Sequence, residues 1–149
     1  MTKINSVLTT VTQLGLDTPP IIYFIEAHAT YDSLVTDIFQ RIATGSLQGF
    51  TSVITLTEVL VHPLRQANTV LQQAYRKILM RSPNFHTLPV NVAIAESAAD
   101  LRARYNLRTP DAIQIAAALS ASCEAFLTND AALQRVTELR VLILDELEL

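Results

Sequence analysis

Cysteine is almost missing from this 149-residue chain, where Cys123 stands alone. One cysteine excludes an internal disulfide and any cysteine-rich zinc site, and points to a soluble protein of the reducing cytoplasm. Glycine is scarce too: Gly15, Gly45 and Gly49 are the only three, too few and too scattered for a P-loop or a dinucleotide fingerprint. Tryptophan is absent and aromatic residues make up 6% of the chain, which argues against a platform for stacking single-stranded bases. No G-x-S-x-G elbow occurs. Polar or charged residues interrupt every apolar run before it is long enough to cross a bilayer. The opening MTKINSVLTTVTQLG carries one lysine and dilutes its apolar residues with Thr, Asn and Gln, unlike a secretory signal.

What is present is hydrophobic: half of all residues, enough for one domain with a sizeable core. The net charge of −3 gives no general attraction for nucleic acid, but its distribution is uneven. Arg65, Arg76, Lys77, Arg81, Arg102, Arg104 and Arg108 face only Glu96 and Asp100 in the middle of the chain, while Asp145, Glu146 and Glu148 make the tail acidic. Solvation of helix surfaces is the commoner account of such arginines, with phosphate tracking as the alternative.

Apolar residues recur at helical spacing through Leu34, Ile38 and Ile42 up to Gly45, through Val70, Ala74 and Ile78 up to Pro83, and through Ile94, Ala98 and Leu101 to about Tyr105. Residues 107–119, LRTPDAIQIAAAL, form a fourth helix with apolar residues on nearly every face, which belongs inside a domain. Short β-like pieces fall at Thr12–Leu16, Phe50–Ile54, Phe85–Leu88, Ala125–Leu127 and Val141–Leu144. This alternation predicts a single α/β domain with a short, mostly parallel central sheet flanked by helices on both faces. Residues 1–11 form an N-terminal extension to a domain spanning 12–149.

Four acids stand where a strand or loop hands over to a helix: Asp17, Glu58, Asp111 and Asp130. Each has a structural reading. Asp17 and Asn129 or Asp130 suit N-caps, Thr55 and Glu58 have capping-box spacing, and Thr109-Pro110-Asp111 reads as N-cap, N1 and N2. Together they have a second reading. The carboxyl ends of parallel strands share one edge, and ligands bind in the crevice there. Carboxylates gathered in a crevice repel one another unless a cation joins them, and Mg²⁺ accepts oxygen ligands with several waters retained. His62, four residues after Glu58, is a weaker metal-ligand candidate, and a helix-end histidine before Pro63 is usually structural. Cys123, ending an apolar helix, reads as a buried thiol.

The stretches LDTPPIIYFIE, TSVITLTEVLVHPLR and LRTPDAIQIAAALSASCEAFLTND, in this order, resemble the PIN-domain family, especially VapC-like toxins of bacterial toxin–antitoxin pairs. The resemblance covers roughly residues 12–145, and TPDA and FLTND are its most specific parts. It implies a divalent-metal-dependent endoribonuclease in which Asp17, Glu58, Asp111 and Asp130 bind Mg²⁺ or Mn²⁺ and Thr128 supports the site. It also implies an RNA substrate, a homodimer and a cognate antitoxin, for which the Val70–Leu79 stripe is one candidate surface. Two departures stand out: Pro19 replaces the Asn or Ser that commonly follows two positions after the first acid, and about a dozen residues precede the first strand. The alternative readings are a non-catalytic PIN-like binding module, with acids that only cap helices, and a phosphatase or DNA nuclease using the same metal chemistry.

Overall fold

The computed structural model describes residues 1–149. The chain runs β1 (Thr2–Lys3), α1 (Ile4–Leu8), β2 (Gln13–Leu16), α2 (Thr18–Ile25), α3 (Asp32–Thr44), β3 (Gln48–Ser52), α4 (Val53–Arg65) and α5 (Thr69–Arg81). It continues through β4 (Phe85–Leu88), α6 (Val92–Tyr105), α7 (Thr109–Ser120), β5 (Ala125–Thr128), a 3-10 helix at Ala131–Arg135, β6 (Arg140–Ile143), a 3-10 turn at Leu144–Glu146 and β7 (Leu147–Glu148). Five strands form one sheet in the order β4-β3-β2-β5-β6, and every neighbouring pair is parallel. The expected α/β architecture is present.

Strand alternation divides the core. Leu14, Leu16, Ala125 and Leu127 pack with α1 to α5 on one face, whereas Phe126 packs with α6 and α7 on the other. The sheet is therefore covered on both sides, and its central strands are apolar on both faces, as buried parallel strands are. The close approach of α7 to β2 explains the run of small residues in that helix. A Cβ on Gly15 would stand 2.7 Å from the Ala118 Cβ and 2.9 Å from Phe126 Cδ1.

The N-terminal extension is packed into the domain. Thr2 and Lys3 pair in parallel with Leu147 and Glu148, and Ile4, Val7 and Leu8 are buried in the larger core. Three local expectations need correction. The strand placed at Phe50–Ile54 ends at Ser52, because the Ser52 hydroxyl accepts from the Ile54 N–H and starts α4 at Val53. Thr55 and Glu58 therefore form no capping box: Thr55 is fully buried and Glu58 lies on the second turn. Helix α7 begins one residue earlier than the capping pattern indicated, with Arg108 at the N-cap and no side-chain cap, so Asp111 is its third residue.

Chain order reverses between β2 and β5, since β3 and β4 lie to one side and β6 to the other. Such a switch point leaves a crevice at the carboxyl ends of the two strands. Asp17 directly follows β2, and Asp130 follows β5 by two residues.

Candidate active site

A cleft of about 360 Å³ opens at this switch point, lined by Asp17, Glu58, Asp111 and Asp130 together with Thr18, Pro19, Ile22 and Arg108. All four acids singled out in the sequence thus meet in one place. Four carboxylates face one guanidinium there, so the cleft is strongly electronegative.

Asp17 is the most enclosed of the four, at 7% exposure. Its Oδ1 accepts from the Thr18 N–H at 2.9 Å and its Oδ2 from the Thr128 hydroxyl at 2.8 Å. Burial pushes its carboxyl up to about 6. The two hydrogen bonds oppose that rise, while the fields of Asp111 and Glu58 add to it. Thr128, itself fully buried, also accepts from the Asp130 N–H at 3.2 Å, so one hydroxyl joins the ends of β2 and β5 to the Asp130 loop. The Asp130 carboxylate accepts from the Ala132 N–H at 3.0 Å, capping the following 3-10 helix as the sequence suggested.

Glu58 is held by a chain of buried polar side chains with one direction of proton donation. The Ser52 hydroxyl donates to Gln114 Oε1 at 2.5 Å, which fixes the amide orientation. Gln114 Nε2 then donates to Thr55 at 2.7 Å and to Thr18 at 3.3 Å. The Thr18 hydroxyl donates to Glu58 Oε1 at 2.7 Å. Thr51 anchors the cluster by donating to the Leu16 carbonyl at 2.9 Å, with its oxygen 2.8 Å from that of Thr55. No buried side-chain polar atom in the protein lacks a partner. Gln114, Thr18 and Ser52 escaped the sequence analysis, and Thr55 entered it only as half of a capping box. The available signal was Gln114, the lone polar side chain in AIQIAAAL.

Asp111 pairs with Arg108, whose Nε lies 3.1 Å from Oδ2. The Arg108 guanidinium is held most strongly by Asp111 and also feels Asp130 and Glu58. The four acids line one cleft, yet no three of them form a ready-made metal cage. The donor set nonetheless fits a hard divalent cation: it is all oxygen, it lines one cleft, and burial and the neighbouring acids penalise the charge of Asp17. Few protein ligands and several waters suit Mg²⁺ in particular.

A model of the PIN domain matches residues 15–139. The chain belongs to the PIN-domain family. This PIN domain is similar to solved structures at identities that speak to fold alone. A chain of the VapBC2 complex of Rickettsia felis bound to a promoter DNA fragment aligns with a TM-score of 0.72 and 15% identity, over 89% of this chain and 98% of that one. A chain of a Klebsiella pneumoniae toxin–antitoxin complex aligns with a TM-score of 0.69 and 23% identity, over 89% and 98%. A chain of DNA-bound VapBC from Salmonella typhimurium gives a TM-score of 0.61 and 17% identity, over 91% and 99%. No curated protein matches the sequence significantly.

Other features of this PIN domain fall away from the cleft. His62 is exposed and absent from the lining, as are His28, which packs beside Tyr23 and Tyr31, and His86, which contacts Gln48. Cys123 is buried, and burial pushes its thiol up to about 12, leaving it without nucleophilic character. Pro19 does line the cleft, where it offers no polar group. No helix is long and apolar enough to cross a membrane.

Proposed function

We propose that this PIN domain is a divalent-metal-dependent endoribonuclease, the toxin of a type II toxin–antitoxin pair. The observation that carries the reading is the convergence of Asp17, Glu58, Asp111 and Asp130 on one cleft at the sheet's switch point. PIN domains are a nuclease family, which supports phosphodiester hydrolysis. The four acids would hold Mg²⁺ or Mn²⁺. Bound there, such an ion supplies charge neutralisation at a phosphodiester and a lowered pKa for water. The chain's own contribution is positioning. Thr128 and the Thr18 N–H hold both oxygens of Asp17, and the Ser52–Gln114–Thr18 chain holds Glu58. Arg108 balances Asp111 while the cleft carries no cation and is free to meet a phosphate once a cation replaces it.

An antitoxin partner is supported by the kind of complex to which the fold is similar. The Val70–Leu79 stripe is mostly committed to packing, with Tyr75 and Leu79 buried, while Val70 is 80% exposed. With Val61 and Leu64 of α4 also exposed, the α4–α5 pair is an available face for the antitoxin or for a second copy in a homodimer. The reading implies a cytoplasmic protein.

The experiment is cleavage of RNA, DNA and a small phosphodiester in Mg²⁺ or Mn²⁺ by the wild type, Asp17→Asn and Asp111→Asn, with Mn²⁺ binding followed by calorimetry. RNA cleavage by the wild type, lost in both folded variants, is expected. A variant that cleaves at the wild-type rate overturns the assigned site. A wild type with neither saturable Mn²⁺ binding nor cleavage identifies a binding module instead.

A further inference from the structure

Beside the acidic cleft lies a second pocket of about 180 Å³, whose lining includes Asn106, Arg108, Asp111, Asp130 and Arg135. Arg108, Asp111 and Asp130 border both spaces, so the two adjoin at these side chains. Arg135 belongs to this second pocket alone.

The bonding of Arg135 is unusual for a surface arginine. Its Nε donates to the Ala132 carbonyl at 2.8 Å, and its Nη1 to the Tyr105 carbonyl at 2.9 Å and the Asn106 carbonyl at 3.4 Å. Every acceptor is a neutral backbone oxygen, and no carboxylate lies within ion-pair distance. Its Nη2 makes no hydrogen bond within the protein. Its place at the end of α6 sets the charge against the negative terminus of that helix, but no carboxylate pairs with it and one side stays open. A guanidinium fixed on two sides and open on the third is preorganised for an anion. By contrast, nearby Arg104 is neutralised by both Asp100 and Glu138.

We infer that Arg135, with Arg108, forms a subsite for the phosphate adjacent to the scissile one on a bound RNA strand. This rests on the endoribonuclease reading, since it needs a substrate with consecutive phosphates. Once a cation occupies the acidic cleft, Asp111 and Asp130 are neutralised, Arg108 is released from Asp111, and the second pocket is left with two guanidinium groups. The scissile phosphate then lies among the acids and its neighbour between the arginines. Contacts of this kind set register along a strand without reading its bases.

The test is RNA binding by the full chain, followed by fluorescence anisotropy of a short labelled RNA at one fixed concentration of Ca²⁺, a hard cation to fill the cleft, across a series of KCl concentrations, with kcat and KM measured separately in Mn²⁺. Arg135→Gln is expected to weaken binding and raise KM about tenfold, the scale of one lost charged hydrogen-bond pair. It should also flatten the log–log salt dependence by about 0.7, the value of one phosphate on a single strand. Arg135→Lys should restore the salt slope, which a purely structural loss at the α6 terminus would not do. A neutral methylphosphonate beside the scissile position should abolish the difference between wild type and Arg135→Gln. If wild-type RNA cleavage is intact but the variant keeps the same slope and KM, the subsite is wrong and the nuclease reading stands. A wild type that neither binds nor cleaves RNA overturns both.

Discussion

Thr128, the last residue of β5, donates its hydroxyl to Asp17 Oδ2 over 2.8 Å, although the two are 111 positions apart in the chain. The bond holds the acid's charged form against the burial that opposes it. Thr128→Val should therefore raise the Asp17 pKa beyond its present value of about 6 and shift the acid limb of the pH–rate profile upward. Loss of such an orienting partner costs about 10- to 100-fold in metal affinity or activity. Calorimetric titration with Mn²⁺ and a pH–rate series check both effects.

Asp17 also makes the metal-free protein's stability depend on pH. Its folded pKa of about 6 exceeds the ordinary 3.8, so between these values the folded state binds more protons than the unfolded state. Stability is then greatest below the lower value, falls as pH rises through the window, and stays reduced above it. Asp17→Asn removes this cost while destroying activity. At neutral pH the variant should be more stable than wild type by at most about 3 kcal/mol, with the gain vanishing near pH 4. Urea denaturation of metal-stripped protein at several pH values measures it.

Metal should reverse that penalty. A cation that binds the folded cleft alone raises the melting temperature with its concentration, by about 2.7 kcal/mol of added stability at a hundredfold excess over Kd. The shift should disappear with EDTA and in Asp17→Asn, and shrink in Asp111→Asn. A thermal-shift titration with MnCl₂ is sufficient.

Gln114 should be structurally costly to replace. Gln114→Leu leaves Ser52, Thr55 and Thr18 without amide partners in a buried cluster, at about 1–3 kcal/mol for an unsatisfied group. It also loosens Glu58, so kcat should fall more than KM rises. Denaturant unfolding and steady-state kinetics separate the two consequences.

Gly15→Ala should destabilise without touching any acid. The added methyl would meet Ala118 and Phe126 at under 3 Å, and overpacking of this kind costs about 1–3 kcal/mol. Mn²⁺ affinity of the folded fraction should stay close to wild type, as calorimetry below the melting transition would report.

The fold was legible because its signals are local. Helical periodicity marked α3, α5 and α6, and the apolar pieces at β4, β5 and β6 fell within a residue or so of the strands observed. The misreadings were local competitions that composition does not decide. Ser52 and Thr55 are both plausible caps, and the structure uses Ser52 because the Thr55 hydroxyl is needed inside the cluster with Thr18 and Gln114. The N-terminal pairing of Thr2 and Lys3 with the tail joins residues some 145 positions apart, and no local pattern marks it. The four acids were legible individually from their neighbours, but the partners that hold them were not.

The sequence by itself determined the alternation of strands and helices, the apolar character of α7 and the placing of acids just beyond strands, because these depend on neighbours within a turn or two. Only the tertiary structure decided that β2 and β5 lie side by side, and this adjacency is what brings Asp17 to Thr128 and Asp130. It also decided that Gln114 faces Thr18 and that Arg135 keeps an unpaired charge beside the cleft. Strand order depends on how two apolar faces are buried at once, and a hydrogen bond or bare charge between distant segments exists only after that burial has chosen their neighbours.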